Sequence, residues 1–140
     1  MSYDLAVWHT SRRLTNEEAG KLYHQLCDSV VTGVEPHPGI ETFYTELTTK
    51  HPQIDDVPDD KIDDTDLCPW SIAFDRSPGH LIMPCVWSKA EYVDGLIRTL
   101  ARKHGLAVFD PQSGTISYPD SPPSAAGGGS PVALGKIISP

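Results

Sequence analysis

Cysteine, basic residues and long apolar runs are all scarce in this chain of 140 residues. Its three cysteines, Cys27, Cys68 and Cys85, are odd in number and never occur as C-x-x-C. This pattern argues against a disulfide framework and against a cysteine-rich zinc site, and it fits a reducing compartment. The length suits one domain that buries its own core.

The sequence also carries no signature of export or membrane insertion. Its first residues, MSYDLAVW, contain no basic region, and no segment approaches the roughly 18 apolar residues of a membrane span. We therefore expect a cytoplasmic protein with no membrane partner. Only 11 Lys and Arg stand against 19 Asp and Glu, so nucleic acid is an unfavourable partner too, because phosphate binding needs clustered cations.

The six histidines form neither H-x-x-x-H nor H-E-x-x-H, the spacings that place two imidazoles on one helical face toward zinc. No motif predicts a cofactor, a metal or a catalytic residue, and we expect none of the three. A hydrolase is the less favoured alternative. The polar groups that it would use near predicted strand ends are Asp75, His80, Glu91 and Asp110.

What the chain has in excess is aspartate. Residues 55–66, the acidic segment, read DDVPDDKIDDTD, and seven carboxylates against one ammonium supply six of the eight net negative charges. Asp and Pro are poor formers of helices and strands and like charges repel, so a solvated loop is predicted. An EF-hand would need Gly at its sixth position and Glu at its twelfth, and the segment has neither. Two interpretations remain: a docking surface for a basic protein, or a merely solubilising loop.

Trp70 follows the acidic segment and is the aromatic residue that we expect to be exposed beside it, whereas Trp87 is expected in the core. Charge would steer the encounter with a partner, and the indole would supply buried area. The candidate partner-binding residues are Asp55, Asp56, Asp59, Asp60, Asp63, Asp64, Asp66 and Trp70.

Apolar periodicity predicts the remaining elements. Spacings of three and four, with capping boxes at Thr15–Glu18 and Ser88–Glu91, predict helices over residues 15–33, 38–50 and 88–104. Alternating or short apolar runs between turn residues predict strands over residues 3–9, 71–75, 79–87, 106–110 and 115–118.

This order, β-α-α-β-β-α-β-β, predicts an α+β fold in which a mainly antiparallel sheet carries helices on one face. The domain is predicted over residues 1–118, and residues 119–140, rich in Pro, Gly and Ser, are predicted to be a flexible tail. The predicted core consists of Leu5, Val7, Leu22, Leu26, Ile72, Phe74, Ile82, Val86, Leu96, Leu100 and Val108.

Residues 1–8 and 70–118 resemble a group of small bacterial proteins that begin with MSYDL. The shared motifs are a VWS-xx-E helix start, an LA-x-KHG turn and the FD strand that follows it. Some members of the group are similar to immunity proteins encoded beside polymorphic or contact-delivered toxins. The resemblance implies an antitoxin that occludes the active site of a cognate, basic toxin without performing catalysis. The alternative is an adaptor domain with no toxin partner.

Overall fold

A computed structural model describes residues 2–119 of the chain. Within this range the strands are β1 (Ser2–Trp8), β2 (Asp75–Ser77), β3 (His80–Val86), β4 (Ala107–Asp110) and β5 (Thr115–Ser117). The helices are α1 (Asn16–Cys27), α2 (Pro38–Lys50) and α3 (Ala90–His104), with short 3-10 turns at Ile54–Asp56, Asp59–Lys61 and Trp87–Lys89.

The strands form one antiparallel sheet in the order β2-β3-β1-β4-β5. The centre is β1, which pairs with β3 from Ser2 opposite Val86 to Trp8 opposite His80, and with β4 along its other edge. The hairpins β2–β3 and β4–β5 extend the sheet to either side. The predicted α+β class with an antiparallel sheet is confirmed.

The helices cover both faces of this sheet. Leu5 and Val7 pack into the core beneath α2 and α3, whereas Ala6 and Trp8 point the other way and pack with α1. The prediction that the helices share one face is therefore wrong for α1. The physical reason is that the end of β1 is apolar on both sides, so both of its faces need cover from water.

Two helix starts follow the predicted chemistry. At α1 the Thr15 hydroxyl accepts the Glu18 N–H, and the Glu18 carboxylate accepts the Thr15 N–H, which completes the capping box. At α2 the boundaries are those predicted, with Pro38 in the first turn.

Two other boundaries differ from the prediction. The chain leaves α1 after Cys27, well before Gly33, and turns through Ser29 at a φ of 66°. The capping box at Ser88 does not form, because a 3-10 turn occupies Trp87–Lys89 and α3 begins at Ala90 without a side-chain cap. That helix does end as predicted, at Gly105 in the left-handed conformation.

The predicted strand over residues 71–75 is also wrong, because β2 starts only at Asp75. Before it, Trp70 makes a single bridge to Cys85, and Ile72 is exposed instead of lying in the core. The other predicted core residues are buried or partly buried. The buried ones are Leu5, Val7, Leu22, Leu26, Ile82, Leu100 and Val108, and the partly buried ones are Phe74, Val86 and Leu96.

Trp70 and Trp87 exchange the environments that the sequence predicts for them. Trp70 is 2% exposed and packs edge-on against Phe74 with ring centroids 4.7 Å apart. Trp87 is 48% exposed, because β3 ends at Val86 and the chain turns away from the sheet. Both expectations, an exposed Trp70 and a core Trp87, are wrong.

Apart from Pro119, the predicted tail lies outside the described residues. Among the helices of residues 2–119, none is long and apolar enough to cross a membrane.

A buried histidine closes the β2–β3 hairpin. His80 is 1% exposed, and its Nδ1 lies 2.6 Å from the Ser77 hydroxyl oxygen, which also accepts the Gly79 N–H. Burial lowers the pKa of His80, and the Asp75 carboxylate, 3.8 Å from Nε2, opposes this shift only in part.

We predict that acidification destabilises the fold through this histidine. Because its pKa is lowered on folding, the unfolded chain takes up the proton first, so stability is complete above about pH 6.5 and is lost as the pH falls toward the folded-state value. One proton accounts for at most about 1.4 kcal/mol per pH unit. Urea denaturation of the wild-type protein between pH 7.5 and 5 should show the decline, and His80→Asn should make it shallower.

Other titratable groups determine how much of the pH dependence His80 accounts for. Burial also lowers the pKa of His37, so part of the slope should persist in His80→Asn. Carboxyl groups with lowered pKa, such as Glu46, titrate below the tested window. The exposed His24 supplies the control: His24→Asn should keep the full slope. An identical slope in His80→Asn and the wild-type protein would contradict the assignment.

Candidate functional site

All seven aspartates of the acidic segment are exposed, as the prediction of a solvated loop requires. The segment forms two short 3-10 turns joined by Val57 and Pro58. Within residues 2–119, five of the seven aspartate side chains make no hydrogen bond or ion pair. These five are Asp55, Asp56, Asp59, Asp60 and Asp63.

The last two aspartates help to hold the segment in place. One carboxylate oxygen of Asp64 accepts the N–H groups of Asp66 and Leu67, at 3.1 and 3.3 Å. Asp66 forms an ion pair with Lys89, which lowers the pKa of the Asp66 carboxyl group. The acidic segment is thereby linked to the turn that precedes α3.

Two buried side chains anchor the acidic segment to the hydrophobic core. Val57 lies inside it and Cys68 just beyond it, and both join the core on the face of the sheet that α2 and α3 cover. Burial raises the pKa of the Cys68 thiol, which keeps it an inert apolar group. The carboxylates therefore project from a chain whose backbone is fixed at both ends.

His51 connects the elements around this segment. It ends α2, is 5% exposed, and its Nδ1 lies 2.9 Å from the Leu67 carbonyl oxygen while its Nε2 lies 2.8 Å from the Tyr92 hydroxyl oxygen. The backbone carbonyl of His51 in turn accepts the indole N–H of Trp70 at 2.9 Å. One residue thus ties together α2, the end of the acidic segment and α3.

These contacts settle the tautomer of the His51 ring. A carbonyl oxygen can only accept, so Nδ1 must carry the proton that it donates to Leu67. In the neutral imidazole, Nε2 then accepts the hydroxyl proton of Tyr92. Every polar atom of the ring is satisfied, which a buried histidine requires.

The exposed aromatic residues next to the acidic segment are Trp87 and Tyr92, not Trp70. Lys89, the ion-pair partner of Asp66, lies between them in the chain. The sequence contained a signal for Tyr92, which falls outside the apolar stripe of α3. It contained none for Trp87, because the continuous apolar run of β3 extends through that position and only the end of the strand exposes the ring.

A concave pocket of about 390 Å³ is lined by Tyr3, Ala90, Glu91, Asp94, Arg98 and Asp110, and the Tyr3 ring in its wall also packs edge-on against Trp87. Arg98 donates from Nε to both carboxylate oxygens of Asp94, at 2.9 and 3.1 Å. The Tyr3 hydroxyl donates to the same carboxylate at 3.0 Å. Burial raises the pKa of Tyr3, and the hydrogen bond to Asp94 raises it further, so the phenol keeps its proton.

The four residues of the hydrolase alternative come together as two pairs. Glu91 and Asp110 line the pocket with Tyr3 in its wall, whereas Asp75 and His80 meet on the β2–β3 hairpin. Within residues 2–119, no group of three or more His, Cys, Asp or Glu side chains is placed to hold a metal ion.

A further cleft of about 530 Å³ lies between the start of α2 and the β2–β3 hairpin. Its wall is mainly proline, tyrosine and aliphatic side chains, and the Arg76 guanidinium lies 3.8 Å from the centre of the Tyr44 ring. That cation is already stacked on Tyr44, and the other ionisable side chains of the lining are His37 and Glu41.

No protein-family model, curated protein or solved structure matches this chain. The likeness to the MSYDL group therefore remains an expectation from the residues.

We predict that removing the His51 side chain loosens the acidic segment. His51→Ala breaks the contacts to Leu67 and Tyr92 and leaves a cavity, so the free energy of unfolding should fall by about 2–4 kcal/mol. Amide hydrogen exchange over residues 54–68 should accelerate more than exchange in β1. The control is His24→Ala at an exposed position, which should change stability by less than about 0.5 kcal/mol. Unchanged protection over residues 54–68 in His51→Ala would refute this role.

Proposed function

We propose that this protein is an immunity protein, an antitoxin that binds a basic toxin through the acidic segment and covers its active site. The observation that carries the proposal is the state of the seven aspartates: all are exposed, five have no partner within residues 2–119, and their backbone is fixed at both ends. The toxin itself is suggested by the resemblance to the MSYDL group.

The arrangement favours binding in two ways. Exposed carboxylates stay solvated until the partner arrives, and their summed field attracts a cationic surface over about 8 Å at physiological ionic strength. A backbone that is already held loses little conformational freedom on association. Both effects favour fast association with a protein that carries a cationic cleft, such as one evolved to bind phosphates.

Inhibition by this route needs no chemistry from the antitoxin. A toxin that acts on nucleic acids or nucleotides needs basic side chains where its substrate binds, and a row of carboxylates can occupy the same positions. The bound segment then excludes substrate sterically and neutralises the charges that would attract it.

Co-expression with the protein encoded next to this one tests the proposal directly. We expect the neighbouring protein alone to arrest growth, co-expression to restore it, and the two purified proteins to form a complex. A neighbour that is harmless, or one whose toxicity persists although this protein is present, would refute the immunity function. A complex formed with a harmless neighbour would favour the adaptor alternative.

We further predict that charge on the acidic segment sets the association rate. The variant Asp59→Asn, Asp60→Asn, Asp63→Asn removes three charges that make no hydrogen bond or ion pair within the described residues. Stopped-flow association with the toxin at low salt should slow by about three- to tenfold, and the dependence of the rate on salt should flatten.

A matched control removes three exposed charges on and beyond α1, with the changes Glu17→Gln, Asp28→Asn and Glu35→Gln. This variant has the same net charge as the first, so a general effect of charge would slow both equally. We expect less than a twofold change in the control. Unaltered kinetics in the acidic-segment variant would reject the electrostatic part of the proposal.

A further inference from the structure

Trp87 packs against a neighbouring aromatic ring although nearly half of it is open to solvent. Its ring meets the Tyr3 ring at an interplanar angle of 69°, with centroids 5.2 Å apart. This edge-on contact is a favourable aromatic geometry and restrains the indole. A large aromatic ring that is both exposed and restrained is typical of the residues that dominate binding energy at protein interfaces.

The pocket that Tyr3 lines is negatively charged. Its lining carries three carboxylates, Glu91, Asp94 and Asp110, against one guanidinium, so the net charge is −3 + 1 = −2. Arg98 is engaged chiefly by Asp94, and its terminal nitrogen remains 3.8 Å from Asp110. The Glu91 side chain is exposed and makes no ion pair within residues 2–119.

We infer that Trp87 and this pocket receive an arginine side chain of the basic partner, which would make Trp87 the anchor of the interface. The inference rests on the proposed function and adds the chemistry of the contact. A guanidinium stacks its flat face on an indole while its edge donates two parallel hydrogen bonds to a carboxylate, and Glu91 supplies that carboxylate here.

Arginine fits these groups better than lysine does. The guanidinium is planar, weakly hydrated and able to stack and to donate bidentately at once, whereas an ammonium is a compact and strongly hydrated point charge. The position of the pocket is also suitable, because the ion pair between Lys89 and Asp66 connects the acidic segment to the Trp87 turn. A partner steered by the aspartates therefore arrives beside the indole.

A capped hexa-arginine peptide and a capped hexalysine peptide serve as probes of the full-length protein. NMR titration at 0.15 M salt should move the indole N–H signal of Trp87 and the amide signals of residues 91–94. Hexa-arginine should bind at least threefold more tightly than hexalysine. Trp87→Ala and Glu91→Gln should each lower the affinity for hexa-arginine by at least threefold. Each should also reduce the ratio of the affinity for hexa-arginine to that for hexalysine.

The exposed Val31 lies after α1, and Val31→Ala is the control, with no expected effect on either peptide. The two-dimensional spectrum of each variant verifies that it is folded. The variant with Asp59, Asp60 and Asp63 changed to Asn should lower the affinity for both peptides by the same factor, because it changes the charge of the acidic segment and leaves the pocket unaltered.

The inference is overturned if hexa-arginine does not bind, if the signals that move are confined to residues 55–66, or if the two peptides bind equally. These results would leave the growth-rescue test of the proposed function intact. Conversely, hexa-arginine could bind selectively at Trp87 while the neighbouring protein is harmless and forms no complex. That result would support the arginine site and reject the toxin as its partner.

Discussion

The surface of this protein depends on the hydrogen bonds of one buried histidine. His51 ends α2, donates to the chain just beyond the acidic segment and accepts from α3, and its own carbonyl holds the indole of Trp70. Because the ring is buried, each of these bonds would be costly to leave unmade. The same contacts that satisfy the ring therefore fix where the seven aspartates lie.

This constraint explains how a strongly charged loop coexists with an ordered fold. Like charges at close range favour an extended, mobile chain, and short 3-10 turns alone cannot oppose that repulsion. Here Val57 and Cys68 are buried, Asp64 caps the following backbone, and Asp66 is paired with Lys89. The repulsion is confined to side chains that point into water, where it costs little and leaves the charges available to a partner.

Local sequence rules succeeded where a contact lies within a few residues of the chain. The capping box at Thr15, the span of α2 and the left-handed glycine that ends α3 all involve neighbours in sequence, and the structure has each of them. These rules failed at two other places. The capping box at Ser88 is replaced by a 3-10 turn, and residues 72–74 form no strand because they make no backbone hydrogen bond to β3, with which β2 pairs only from Asp75 onward.

The amino-acid sequence by itself determined the α+β class, the antiparallel sheet and the exposure of the aspartates, because these follow from apolar spacing and from the solvation of charge. Only the tertiary structure decided that α1 covers the second face, that Trp70 is buried, and that Trp87 and Tyr92 flank the acidic segment instead. The reason is that an aromatic side chain is buried or exposed according to what packs against it. For Trp70 those neighbours are His51 and Phe74, one of them 19 residues away in the chain.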